Sequence, residues 1–151
     1  MFVMPDFKQS EALAAIDAGL SSRCNGDVLA RAREFAGLFC GGIDSSDLSA
    51  RSVSSWVDIV LGYIEFADSV SAGAPKLRIV DPLTDADGWG GGTSLVQVIN
   101  ADKPFLVDSV TMELHRQGYH PQLVVHPVVA AARSDAGRLT ALAPPCTRCM
   151  P

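Results

Sequence analysis

Ser94-Leu95-Val96-Gln97-Val98-Ile99-Asn100, followed by Ala101-Asp102-Lys103-Pro104 and then by Phe105 to Gly118, decides the class of fold. Val96 and Val98 fall on one face of the first run and Leu95 and Ile99 on the other, so the pattern predicts an inner strand buried on both sides. Asp102 and Pro104 read as a helix start, with the Asp102 side chain placed to cap free N–H groups and Asp108 placed to offset the helix dipole. Leu106, Val107, Val110 and Leu114 recur at helical spacing and mark the buried face, and Gly118 stops the helix. Downstream, Pro121 to Arg133 reads as a long strand, Ser134-Asp135-Ala136-Gly137 as a turn, and Arg138 to Leu142 as the antiparallel return. From Ser94 onward the order is strand, helix, strand, strand.

Upstream, Lys76-Leu77-Arg78-Ile79-Val80 alternates Leu77 and Ile79 with Arg78 and Val80, which suits a short strand ended by Asp81-Pro82. A turn-rich stretch links Pro82 to Thr93. Before Pro75 the period is helical. Phe7, Leu13, Ile16 and Leu20 outline a first amphipathic helix that Gly19 or Ser21-Ser22 would end. Val28, Ala32, Phe35, Ala36 and Phe39 outline a second, stopped at Cys40-Gly41-Gly42. Val53, Trp56, Val57, Val60, Ile64 and Ala67 outline a third, beginning among the Ser and Asp residues at 44–49 and finished before Gly73-Ala74-Pro75. The class is therefore α+β, with a helical segment at 1–74, a strand-rich unit at 75–143 and a tail at 144–151.

With 151 residues, 48% hydrophobic and 19% charged, the chain can bury a core, so general disorder is excluded. A net charge of −5 and a pI near 5.0 argue against nucleic acid as partner. The opening MFVMPDFKQSE has no basic stretch followed by an apolar core, and the apolar run from Leu123 to Ala132 is too short to span a bilayer. Four cysteines in two distant groups fit reduced thiols, which together with the missing signal points to the cytoplasm.

Few residues carry chemistry. Gly88-Trp89-Gly90-Gly91-Gly92-Thr93-Ser94 lacks the Lys of a phosphate loop and leads into a strand where phosphate binding needs a helix N-terminus, so it reads as a connector. No GxGxxG stands between a strand and a helix. Cys146 and Cys149 form one CxxC, half of a zinc site, and Cys24 and Cys40 lack the spacing for the other half. His115, His120 and His126 have no Ser, Cys or carboxylate at a catalytic spacing and read as structural.

The run from Thr93 to Val110, continued by Gln122-Leu123-Val124-Val125-His126-Pro127-Val128, resembles the N-terminal region of the large bacterial NAD-specific glutamate dehydrogenases. Asp87-Gly88-Trp89 and the Arg133 to Leu142 return share the likeness, and Pro104 to Val110, PFLVDSV, is its most specific part. It covers residues 75–142 closely and the helical half loosely. The resemblance implies an ACT-type module, a partial ferredoxin-like βαββ sheet that stops before the second helix and fourth strand of such a unit. It further implies a regulatory or assembly segment of an oligomeric enzyme that deaminates L-glutamate to 2-oxoglutarate and ammonium with NAD. The catalytic and nucleotide-binding domains of that family would lie elsewhere, so the chain is expected to be a fragment with no cofactor of its own. The terminal CxxC has no recognised counterpart.

In ligand-binding ACT domains the loop after the first strand holds amino acids, and the matching residues here are Asn100, Ala101, Asp102, Lys103 and Pro104. Phe105 stands where such domains commonly have glycine, which weighs against an amino-acid effector and for a packing role. Two other functions are a free-standing amino-acid sensor and a metal-binding module built on the CxxC. In a ferredoxin-like strand order one edge of 94–100 would lack its neighbour, so 76–80 or a second chain should cover it. The opposite edge should be 121–130, where Pro121 and Pro127 are tolerated.

Overall fold

A computed structural model describes residues 7–70, 73–81 and 93–146. Four helices come first: α1 (Phe7–Arg23), α2 (Gly26–Cys40), the short α3 (Ser45–Ser49) and α4 (Val53–Ala67). After them come β1 (Lys76–Val80), β2 (Leu95–Ile99), α5 (Leu106–Arg116), β3 (Ala130–Arg133) and β4 (Leu139–Ala143). The α+β class and the element order expected from the sequence both hold.

The core belongs to the helices. Ile16 and Leu20 of α1, Ala32, Phe35, Phe39 and Cys40 of α2, and Trp56, Val57, Val60 and Ile64 of α4 are all buried, the periodic positions of three amphipathic patterns. Phe39 is ringed by Phe35, Tyr63 and Trp56 at centroid distances of 5.3, 5.6 and 6.5 Å. Helix α1 runs through Gly19 and Ser21-Ser22 to Arg23, past the stop expected there. Gly19 is instead a point of close approach: a Cβ on it would lie 2.7 Å from Cγ2 of Val57, so its missing side chain lets α4 pack against α1. The serines at 21 and 22 donate to the carbonyls of Asp17 and Gly19, which keeps them inside the helix. The third helical pattern divides into α3 and α4. Ser52 caps α4 by accepting from the Ser55 N–H, and buried Trp56 donates its indole N–H to the Leu48 carbonyl at 2.9 Å, tying the two together.

The strands pair as two separate antiparallel ribbons. β1 pairs with β2, with Leu77 opposite Val98, Arg78 opposite Gln97 and Ile79 opposite Val96. This is the intrachain cover expected for 94–100. β3 pairs with β4 around a turn in which Gly137 takes φ +76°, with a register shift between Ala132 and Arg133. The long strand expected over 121–133 shrinks to Ala130–Arg133, and among the described residues 121–129 join no ladder. Proline at 121 and 127 removes two donors from that stretch, and β2 already uses one edge for β1.

Both ribbons are fastened to the last two turns of α4 and the residues just past it, where the final helix carbonyls lack intrahelical partners. Lys76 Nζ donates to the Phe66 and Ser69 carbonyls at 2.7 and 2.8 Å, and Arg78 Nη2 to the Gly62 carbonyl at 2.9 Å. Each cation lies 4.7 Å from the centroid of the Phe66 ring. From the other ribbon, Arg133 Nη1 donates to the Ala67 carbonyl at 2.7 Å, the Leu139 N–H donates to the Asp68 carbonyl, and Arg138 pairs with the Asp68 carboxylate. Four basic side chains thus meet the negative end of the α4 dipole, whose own last turn has none. Leu139, 3% exposed, carries the second ribbon into the helical core.

This anchoring corrects the faces assigned to β2. The expected double burial is absent: Gln97, 1% exposed, is its one buried residue and Val96 is exposed. Arg78 donates Nε to Gln97 Oε1 at 2.7 Å, which satisfies a buried amide oxygen that the hydrophobic pattern had left unnoticed.

Candidate functional site

The loop from Asn100 to Pro104 lies between β2 and α5. Asn100 Oδ1 accepts the Ala101 N–H at 2.9 Å, an Asx-type closure, and Ala101, Asp102, Lys103 and Pro104 are exposed. Helix α5 begins at Leu106, two residues past the Pro104 start that the sequence suggests, with Phe105 rather than Asp102 at its N-cap. Phe105 accepts the Ser109 N–H through its carbonyl and takes φ +62°, ψ +12°, the left-handed conformation in which glycine is at ease and a bulky residue is strained. Its side chain is 76% exposed, so the benzyl group that replaces glycine projects toward solvent. Asp108 does lie in the first turn of α5, and Gly118, at φ +86°, ends the helix as expected.

The loop forms part of the rim of a cleft of about 1720 Å³. Its walls include Ile79, Val96 and Val98 of the first ribbon, Val110 and Leu114 of α5, and the extended stretch 119–129. The face of α5 expected to be buried borders this cleft: Leu106, Val107 and Leu114 are half-buried, Val110 is exposed, and the helix has no buried residue. Tyr63 reaches the cleft from the helical core, and burial pushes its hydroxyl pKa up against the opposing pull of Arg78. Burial likewise pushes the Cys40 thiol up to about 12, which keeps it protonated and unreactive. Glu113 is held below the usual carboxylate range by hydrogen bonds from Arg116 and Gln117, an exposed pair on the outer face of α5.

The remaining candidates do not assemble. His115 and His120 are exposed with ring centroids 5.7 Å apart, and among the described residues no group of three or more His, Cys, Asp or Glu could hold a metal ion. Cys146 is exposed; Cys149 and the glycine-rich stretch from Gly88 to Gly92 lie outside the described residues, as does the Asp87-Gly88-Trp89 likeness. Among the described residues no helix is long and apolar enough to cross a membrane.

The family described as "Glutamate dehydrogenase, ACT1 domain" matches residues 35–148. The chain belongs to this family. The NAD-specific glutamate dehydrogenase of Halomonas elongata is 32% identical over 135 residues, which is 89% of this chain and 8% of that protein. That of Pseudomonas aeruginosa is 30% identical over 129 residues, 85% of this chain and again 8% of the relative. The chain thus spans about 8% of the length of the curated relatives it matches. No solved structure matches it.

The residues that sequence reading missed are those at the end of α4. Lys76, Arg78, Arg133 and Arg138 received no role beyond membership of a strand, yet they carry the contacts that hold both ribbons. The available signal was a helix ending in Glu65-Phe66-Ala67-Asp68 with no basic residue, followed by a strand with two.

Proposed function

We propose that this ACT1-family chain serves as a non-catalytic regulatory or assembly segment of an NAD-dependent glutamate dehydrogenase, the larger enzyme converting L-glutamate to 2-oxoglutarate and ammonium in the cytoplasm. The observation that carries the reading is the family match across 35–148, combined with a fold whose polar side chains are spent on joining its own parts. Hydride transfer needs a positioned nicotinamide and a base beside the substrate carbon. The isolated chain is therefore expected to produce no NADH from glutamate and NAD above a blank. Deleting the segment from the full-length enzyme should impair assembly or effector response; an enzyme unchanged in both by the deletion would overturn the proposal.

One observation favours a second reading, an amino-acid effector at Asn100, Ala101, Asp102, Lys103 and Pro104: that loop borders the cleft just ahead of the N-terminus of α5. Saturable heat on titration with L-glutamate, abolished by Asp102→Ala, would establish it. No heat at millimolar concentrations would leave the assembly role alone.

A further inference from the structure

The chain has two asparagines, Asn25 and Asn100, and the fold treats them in opposite ways. Asn25 is exposed, lies in the two-residue joint Cys24-Asn25 between α1 and α2, and precedes Gly26, the first residue of α2. It is the N-cap of that helix, at φ −145° and ψ 178°, yet its side chain makes no capping hydrogen bond that would hold the carboxamide in place. The Gly26 N–H belongs to the first turn, where helix amides have no intrahelical acceptor. Gly26 takes φ +56°, and a Cβ on it would meet nothing within 4 Å, so the space around its nitrogen is open. The Asn25 carbonyl accepts the Leu29 N–H at 3.3 Å, a long bond that restrains the joint weakly. At Asn100 each of these conditions is reversed. The residue is half-buried, the N–H that follows it is engaged by its own Oδ1 at 2.9 Å, and that N–H belongs to Ala101, which carries a Cβ.

We infer that Asn25 is a site of spontaneous covalent modification, at which the Gly26 nitrogen displaces ammonia from the side chain and water completes the conversion to aspartate and isoaspartate. Hydroxide takes the Gly26 amide proton, and the nitrogen attacks Cγ of Asn25. The new bond closes a five-membered succinimide, the bond from Cγ to Nδ2 breaks, and ammonia leaves after taking a proton back from solvent. Water then adds to either ring carbonyl. Opening at Cγ restores the main chain with an aspartate, and opening at the backbone carbonyl routes the chain through the side chain as isoaspartate. Nothing is oxidised or reduced, and water is the co-reactant. Ring closure is fast only where the two atoms can meet without hindrance, which is what the open, unbonded Gly26 nitrogen provides. Both products add a negative charge at the start of α2, and isoaspartate also lengthens the main chain by one carbon. The joint has little slack for that carbon: Cys24 donates both its N–H and its Sγ to the Leu20 carbonyl, at 3.0 and 3.3 Å, and Leu20 is fully buried. The modification should therefore loosen the packing of α1 on α2.

The test holds the 151-residue chain folded at mildly alkaline pH and, in parallel, unfolded in urea, and follows its peptides by mass spectrometry. In the folded chain the Asn25 peptide should gain one mass unit at least tenfold faster than the Asn100 peptide, and isoaspartyl methyltransferase should label it. Unfolding should speed the Asn100 reaction at least tenfold and change the Asn25 rate less than threefold. Gly26→Ala should slow the reaction at Asn25 at least tenfold. Because alanine is strained at this φ, Asn25→Gln serves as the second variant: it keeps Gly26, and its longer side chain should leave the peptide unchanged over the same period. Protection of Asn25 by folding as large as that of Asn100 would overturn the inference, and so would equal rates at Asn25 and Asn100 in the folded chain. Hydrogen exchange should then be faster at the first turn of α2 in the aged chain than in fresh chain.

Discussion

Phe105 and Cys40 show how single positions acquire their properties from backbone and burial. A non-glycine residue in the left-handed region carries about 1–2 kcal/mol of strain, and Phe105, 76% exposed, gains little burial to offset it. Phe105→Asn should therefore raise stability by about 1 kcal/mol, because asparagine tolerates this conformation; Phe105→Gly should gain less, since glycine adds freedom to the unfolded chain. Chemical denaturation of both variants checks this, and a loss of stability in both would show that the benzyl group is held by packing. For Cys40 the prediction concerns pH. The unfolded thiol ionises near 9.0 and the folded one near 12, so between these values unfolding releases a proton that the native state retains. This contribution to stability is complete below pH 9 and is lost as pH rises toward 12, with a slope of up to about 1.4 kcal/mol per unit. Urea midpoints at pH 8 and pH 10.5 should fall in the native chain and fall less in Cys40→Ala. Tyr63, also raised by burial, keeps part of the slope in that variant.

At the scale of elements, the joint between the first ribbon and α4 depends on a buried amide. Gln97 Oε1 is satisfied by Arg78, whose other nitrogen reaches Gly62. Arg78→Leu should cost about 1–3 kcal/mol by leaving a buried acceptor without its donor, and Arg78→Leu with Gln97→Leu should recover part of that loss. Denaturation of the two variants, with hydrogen exchange along 76–80 and 95–99, tests the pair; additive losses would mean that the two side chains act independently. The elements themselves were largely legible. Helical spacing found α1, α2, α4 and α5, and alternation found β1, because these patterns arise within one or two turns of chain. Gly118 stopped a helix as expected and Gly19 did not, since a glycine's effect depends on whether another helix passes 2.7 Å from where its Cβ would be. Asp102 failed as a cap because the chain spends Phe105, in a left-handed conformation, on the turn into α5.

For the whole molecule, stability should be uneven. The buried core lies almost wholly in the helical part plus Leu139, whereas α5 buries none of its residues. Native-state hydrogen exchange of the isolated chain should show the slowest amides in α1, α2 and α4 and much faster exchange in α5. Protection of α5 equal to that of α4 would contradict this distribution of burial. The sequence by itself determined the α+β class, the succession of helices and strands, and the likeness to glutamate dehydrogenases that the family match bears out, because periodicity and short motifs are properties of neighbouring residues. It placed the loop 100–104 between a strand and a helix for the same reason. The tertiary structure alone decided that the two strand pairs stay separate ribbons and which way each ribbon faces. Alternation specifies that Leu77 and Ile79 share a face opposite Lys76 and Arg78, but not which face turns inward. That choice fell to the carbonyls of Gly62 and Phe66 in α4 and of Ser69 just past it, which drew the cations in and left the aliphatic side chains outside.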